Sequence, residues 1–208
     1  NIHNYLGPSY SNDSIKEILE KYRISYNYVD NIEKETAKLL SEGNLIAWFQ
    51  DKMEFGQRAL GNRSILADPR NESTKDHVNK SIKYRESFRP FAPAILDEYK
   101  TEFFEMDKNE DVMYMEKVYP IKAEKRKLIP AVTHVDGTGR LQTVKLSTNE
   151  KFYKLIDYFY QLTGIPVLLN TSFNLNGEPI CCSPTDAIRT FFSSGLDVLV
   201  LNNFIIKK

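Results

Sequence analysis

"IPVLLNTSFNLNGEPICCSPTDAIRTFFSSGLDVLVLNNFII", residues 165–206, reads as a buried strand, a polar Asn, Ser and Gly turn, a helix and two further strands. The helix is signalled at both ends: Ser183 caps it, Pro184 suits its first turn, and Gly195 is placed to close it. Working outward, "EKFYKLIDYFYQLTG" puts Phe152, Leu155, Ile156 and Phe159 on one helical stripe that ends on Gly164. "SIKEILEKYR" spaces Ile15, Ile18 and Leu19 in the same way. "DNIEKETAKLLSEG" offers Asp30 and Glu33 as a capping box and Gly43 as a stop, and delivers the chain into the buried strand "LIAWF". Downstream, "NESTKDHVNKSIK" reads as a polar helix, and "FAPAIL" and "VMYMEKVYPI" as strands. Alternation of this kind predicts an α/β or α+β fold with a mixed sheet. No repeat, low-complexity tract or linker divides the chain, so the expectation is one domain over residues 1–208, with residues 1–13 as a linker-like lead-in.

The bulk numbers narrow the function classes. The chain has 208 residues, and its 28 Lys and Arg balance 28 Asp and Glu, so no global field gathers nucleic acid or an anionic membrane. Anion binding has to come from local clustering. No apolar run approaches the roughly 20 residues of a membrane span, and the chain reads as cytoplasmic. Cys181 and Cys182 are adjacent, which suits neither a disulfide framework nor a CxxC metal site. There is no P-loop, HExxH or Gly-x-Ser-x-Gly pattern, and no metal ligand set is assigned.

Four polar segments hold more hydrogen-bonding capacity than a turn needs: "GQRALGNRS", "KYRESFRPF", "HVDGTGRLQ" and "NTSFN". Arg58 and Arg63 lie in the first. Lys83 and Arg85 in the second would share one face of an extended segment, with Arg89 returning before Pro90. His134, Asp136 and Arg140 flank two glycines in the third. Asn170, Ser172 and Asn174 alternate in the fourth. Guanidinium forks match phosphate or carboxylate, and neutral amides and hydroxyls orient a sugar or base, so a polyphosphate ligand is the expectation. Each piece also has a plain reading: a lone Arg is often solvated, His134 is more readily a hydrogen-bonded structural histidine than a base, and Asp136 braces a glycine turn as easily as it binds a metal. If ATP is used, its phosphates would hold Mg²⁺, with Asp136 the best protein carboxylate.

Taken together, "FGQRALGNRSILADPR", "VNKSIKYRESFRPFAPAIL", "VTHVDGTGRLQTV" and the segment quoted at the outset resemble the C-terminal domain of the nodulation and antibiotic-biosynthesis O-carbamoyltransferases, from about Trp48 onward. Gln57 stands where that pattern has Pro. The resemblance implies a YrdC/Sua5-like twisted sheet flanked by helices, with a basic nucleotide-binding cavity. Lys83 and Arg85 match its Lys-x-Arg element, and Ser172 and Asn174 its Ser-x-Asn element. It implies a carbamoyl-adenylate-forming enzyme that uses carbamoyl phosphate and ATP, with Mg²⁺ held through the ATP phosphates. In this reading Arg58 and Arg63 bind carbamoyl phosphate. Lys83, Arg85 and Arg89 neutralise charge during catalysis and, with Arg140, Asn170, Ser172 and Asn174, bind ATP; His134 and Asp136 lend support. Transfer to an acceptor hydroxyl would fall to an N-terminal kinase-like domain. Two alternatives are a threonylcarbamoyl-adenylate synthase-like enzyme and a noncatalytic RNA-binding YrdC-like module, the latter weakened by zero net charge.

Overall fold

The structure is a computed structural model that describes residues 4–84 and 90–208. Arg85 and Arg89 lie outside the described residues. In chain order the elements are α1 (Asn12–Lys21), β1 (Asn27–Tyr28), α2 (Ile32–Ser41), β2 (Ile46–Phe49), β3 (Arg63–Ala67), α3 (Ser73–Val78), β4 (Ala92–Leu96), α4 (Lys100–Phe103), β5 (Val118–Pro120), β6 (Thr138–Arg140), β7 (Gln142–Val144), α5 (Glu150–Thr163), β8 (Val167–Ser172), α6 (Pro184–Phe192), β9 (Val198–Leu201) and β10 (Phe204–Lys207). Short helical turns fill several connections. Among the described residues, eight strands join in the order β1-β10-β9-β2-β3-β8-β4-β7, while β5 and β6 form a separate ribbon. The β2–β9 and β4–β7 pairs are parallel and the rest antiparallel, so the sheet is mixed, as its sequence suggested.

The apolar runs mark the middle of this sheet. β2, β3 and β9 are buried along their whole length, which is why they lack polar alternation. The helical stripe of α5 is buried at all four expected positions, and Gly164 ends the helix in the left-handed region at φ 74°. α5 lies against α2 and over β4 and β8, and α6 packs on β2 and β9.

Local chemistry explains the departures from the sequence reading. α2 is capped by Asn31, whose side chain accepts from the Lys34 amide at 3.1 Å, and not by an Asp30–Glu33 box. α6 has the full capping box, with the Asp186 side chain returning to Ser183. Gly195, however, does not end that helix; Ser193 does. Gly195 instead donates to the Ser81 carbonyl at 2.7 Å, and a Cβ there would come within 3.0 Å of the Ser81 Cα. The glycine therefore permits a close backbone crossing. The segment after α3 tightens into a π-helical turn, Asn79–Lys83, that stops at Tyr84 in the left-handed region (φ 45°). Lys83 thus does not lie on an extended segment, and alternation is the wrong guide to its direction. Of "VMYMEKVYPI", only Val118–Pro120 is strand.

Candidate functional site

β8 has antiparallel neighbours on both sides: Ser172 pairs with Ser64 of β3 and Asn170 with Ala92 of β4. The end of β8 therefore meets the beginnings of β3 and β4 at one edge of the sheet. A cleft of about 330 Å³ opens there. The turn before β3 gives it Gln57, Arg58 and Ala59; the approach to β4 gives Pro90, Phe91 and Ala92; β8 gives Asn170, Thr171 and Ser172; Met115 and Arg140 complete it.

Arg58 and Arg140 reach this cleft from separate elements. Among the described residues, no Asp or Glu pairs with either. Partial burial, followed by the charge of Arg140, pushes the Arg58 guanidinium below the usual arginine range. Two cations converging without a counter-charge repel each other, and an anion between them removes the repulsion.

Asn170 forms part of the wall. The Gln142 side-chain amide donates to the Leu60 carbonyl at 2.9 Å, which turns the Gln142 Oε1 toward Asn170. Asn170 Nδ2 donates to that oxygen at 2.8 Å and to the Ala59 carbonyl at 3.3 Å. A carbonyl only accepts, so this chain of bonds fixes both amide orientations. Asn170 therefore ties the Arg58 turn to β8, and its buried Oδ1 has no partner among the described residues.

Lys83 is buried just behind the cleft. Its ammonium reaches the Ser172 carbonyl (2.7 Å), the Ser172 Oγ (3.2 Å), the Asn174 carbonyl (3.1 Å) and the Asn174 Oδ1 (2.7 Å). Ser172 Oγ also donates to Asn174 Oδ1 at 2.6 Å. The three residues form one cluster, in which Lys83 sets the end of β8 and Ser172 borders the cleft.

Arg63 is not brought to the cleft. It is fully buried, with its guanidinium 3.5 Å over the Phe49 ring. Nη1 donates to the carbonyls of Gln50 (2.6 Å) and Asn62 (2.9 Å), and Nη2 to those of Pro8 (3.1 Å) and Asp51 (3.2 Å). Burial lowers its pKa to about 10. The expectation that it contacts phosphate fails because its donors hold the protein's own backbone.

His134 and Asp136 also lie off the cleft, in the turn leading to β6. Asp136 Oδ1 accepts from the Thr138 amide (3.0 Å) and hydroxyl (2.7 Å). The hydroxyl proton is thereby committed, so His134 Nδ1 is the donor in its 3.1 Å contact with Thr138 Oγ1. Burial holds His134 below its ordinary pKa. Both residues brace the glycine turn, the plainer of the two readings. No cluster of three or more His, Cys, Asp or Glu among the described residues is arranged for a metal ion.

Sequence reasoning passed over Glu54 and Gln142. Glu54 Oε1 accepts the backbone amides of Leu60 (2.7 Å), Asn62 (2.7 Å) and Arg63 (3.2 Å). Glu54 acts through backbone amides, and Gln142 through one carbonyl and one side chain distant in sequence, so neither leaves a local pattern to read.

A family model described as carbamoyltransferase C-terminus matches residues 37–208. The nodulation protein NolNO of Sinorhizobium fredii is 46% identical over 98% of this chain, and the 3'-hydroxymethylcephem-O-carbamoyltransferase of Amycolatopsis lactamdurans is 37% identical over 81%. The aligned segments are 31% and 32% of those relatives, so the chain spans about a third of their length. Among solved structures, full-length HypF in a phosphate- and nucleotide-bound form superposes with a TM-score of 0.60 at 17% identity, covering 89% of this chain and 23% of HypF. Pyrococcus abyssi Sua5 with L-threonine gives 0.61 at 15%, covering 82% of this chain and 46% of Sua5. These likenesses identify the fold as YrdC/Sua5-like. With the family model matching from α2 to the last residue and relatives aligned across nearly the whole chain, this protein belongs to the carbamoyltransferase C-terminus family.

Proposed function

We propose that this domain makes carbamoyl-adenylate from carbamoyl phosphate and ATP, as the adenylating part of an O-carbamoyltransferase. An N-terminal kinase-like region would then pass the carbamoyl group to an acceptor hydroxyl. The observation that carries the reading is the convergence of Arg58 and Arg140 on one cleft, with no Asp or Glu among the described residues paired to either. HypF, solved with phosphate and nucleotide bound, supports phosphate chemistry on this fold.

In the proposed sequence, Arg58 and Arg140 hold the phosphate of carbamoyl phosphate. Water releases carbamate and inorganic phosphate, and a carbamate oxygen attacks the α-phosphorus of ATP. Pyrophosphate leaves and carbamoyl-AMP remains. The protein's work here is to place charge and donors, so no covalent nucleophile is required. Lys83 keeps the Ser172 hydroxyl at the cleft wall, and Asn170 ties the Arg58 turn to β8 through the Ala59 carbonyl. Arg85 and Arg89 are kept as candidates for the ATP phosphates. Asp136 does not fit as a ligand for Mg²⁺, because it lies off the cleft and braces its own turn; the ion would come with ATP.

A pyrophosphate-release assay with Mg²⁺ and ATP, with and without carbamoyl phosphate, tests the proposal. Release that requires carbamoyl phosphate, with carbamoyl-AMP seen by mass spectrometry, is expected. Release only with bicarbonate and threonine would reassign the substrate, and no release would overturn the reading.

A further inference from the structure

We infer that Glu54 is the positioning residue for Arg58: its buried carboxylate fixes the turn from which Arg58 meets the anionic substrate. The inference rests on the reading of the cleft as a carbamoyl phosphate site.

Residues 55–62, the second part of the connection from β2 to β3, form neither helix nor strand, so their conformation depends on what holds them. Arg58 itself is exposed there and makes no anchoring bond to a described carboxylate. Glu54 is only 4% exposed, yet one of its oxygens gathers three amides from the same turn. Bonds to an ionised acceptor are roughly twice as strong as neutral ones, so this single carboxylate is a strong anchor for the loop. Its Oε2 is buried with no partner among the described residues, so the Oε1 bonds are those that compensate its burial.

Neutral bonds complete the fastening. Tyr5 donates to the Leu60 carbonyl at 2.9 Å, and Trp48 Nε1 to the Gly61 carbonyl at 2.9 Å. In a phosphate-binding loop the amides face the ligand. Here the amides of Leu60, Asn62 and Arg63 face an internal anion, and the substrate is left to the Arg58 side chain. A substrate anion gains from Arg58 only if the turn is ordered beforehand; otherwise binding must supply the ordering entropy.

The test is a double-mutant cycle, read by NMR titration at millimolar ligand, with carbamoyl phosphate and, separately, inorganic phosphate. The proteins are the wild type, Glu54→Gln, Arg58→Ala and the double variant. Glu54→Gln keeps the shape and a neutral acceptor, so folding should survive; Glu54→Asp, which keeps the charge one methylene short, is the companion if it does not. The expected result is a loss of about tenfold in affinity for Glu54→Gln when Arg58 is present and no further loss when Arg58 is already Ala. Faster hydrogen exchange at the Leu60 and Asn62 amides should accompany it. Equal losses in both backgrounds, or no loss in either, would overturn the positioning role while leaving the proposed function standing. Failure of the wild type to bind either ligand would overturn both.

Discussion

Arg58 and Arg63 stand in the same turn with the same chemistry, and their surroundings give them opposite roles. Arg63 begins β3 opposite Phe49, so its side chain enters the interior, lies on that ring and donates to four carbonyls. Arg58 stays outside and shares the cleft with Arg140. We therefore predict that Arg58→Ala or Arg140→Ala weakens carbamoyl phosphate binding by about 2–4 kcal/mol. The unfolding free energy in urea should move by no more than about 0.5 kcal/mol in either. Arg63→Met should reverse the pattern: leaving buried carbonyls without donors costs about 3 kcal/mol of stability. Calorimetry and urea unfolding on the three variants separate the two roles, and a stability loss for Arg58→Ala matching that of Arg63→Met would contradict them. The residue types of the site were legible in the sequence, but the direction of each side chain was not, because it follows from strand register. His134 gives a pH test. Its pKa is lower in the folded protein than the usual value near 6.5, so the unfolded chain binds more protons just below that pH. Stability should accordingly fall as pH drops below about 6.5, and His134→Gln should flatten that part of the profile in thermal unfolding.

Helices and strands with strong apolar periodicity were read correctly from sequence, because a buried stripe of four large side chains in α5 leaves few alternatives. Elements decided by a few backbone contacts were not. The π-helical turn ending at Lys83 is one case, and the Gly195 crossing against Ser81 is another, since both depend on partners distant in sequence. Gly61 shows how tightly the Arg58 turn sits on α5. Its φ is 103°, and a Cβ there would lie 2.1 Å from the Phe152 Cδ1. Gly61→Ala should therefore destabilise the domain by about 3 kcal/mol or more, combining left-handed strain with overpacking. Gly164→Ala has φ 74° and open space around the added methyl, and should cost only about 1 kcal/mol. Similar losses in chemical denaturation for the two would mean that the turn does not rest on Phe152.

Across the whole molecule, opposite charges balance at 28 each, so anion binding has to be local, and the proposed site lies where β3, β4 and β8 meet. The family and the YrdC/Sua5-like architecture were legible because their motifs are long and ordered along the chain. The cleft itself was not, since only the sheet order brings residues from the turn before β3, from β6 and from β8 to one edge. Among the described residues, no helix is long and apolar enough to cross a membrane. Zero net charge predicts that a random-sequence RNA will bind weakly if at all at about 150 mM salt, and fluorescence anisotropy showing a steep salt-dependent affinity would favour the RNA-binding alternative. The central claim is that Arg58 and Arg140 jointly hold the phosphate of carbamoyl phosphate. A crystal structure of the domain with carbamoyl phosphate and a nonhydrolysable ATP analogue tests it most directly. The account predicts phosphate oxygens within about 3 Å of both guanidinium groups, whereas a phosphate bound elsewhere, or a cleft filled with ligand that leaves Arg58 and Arg140 untouched, would contradict it.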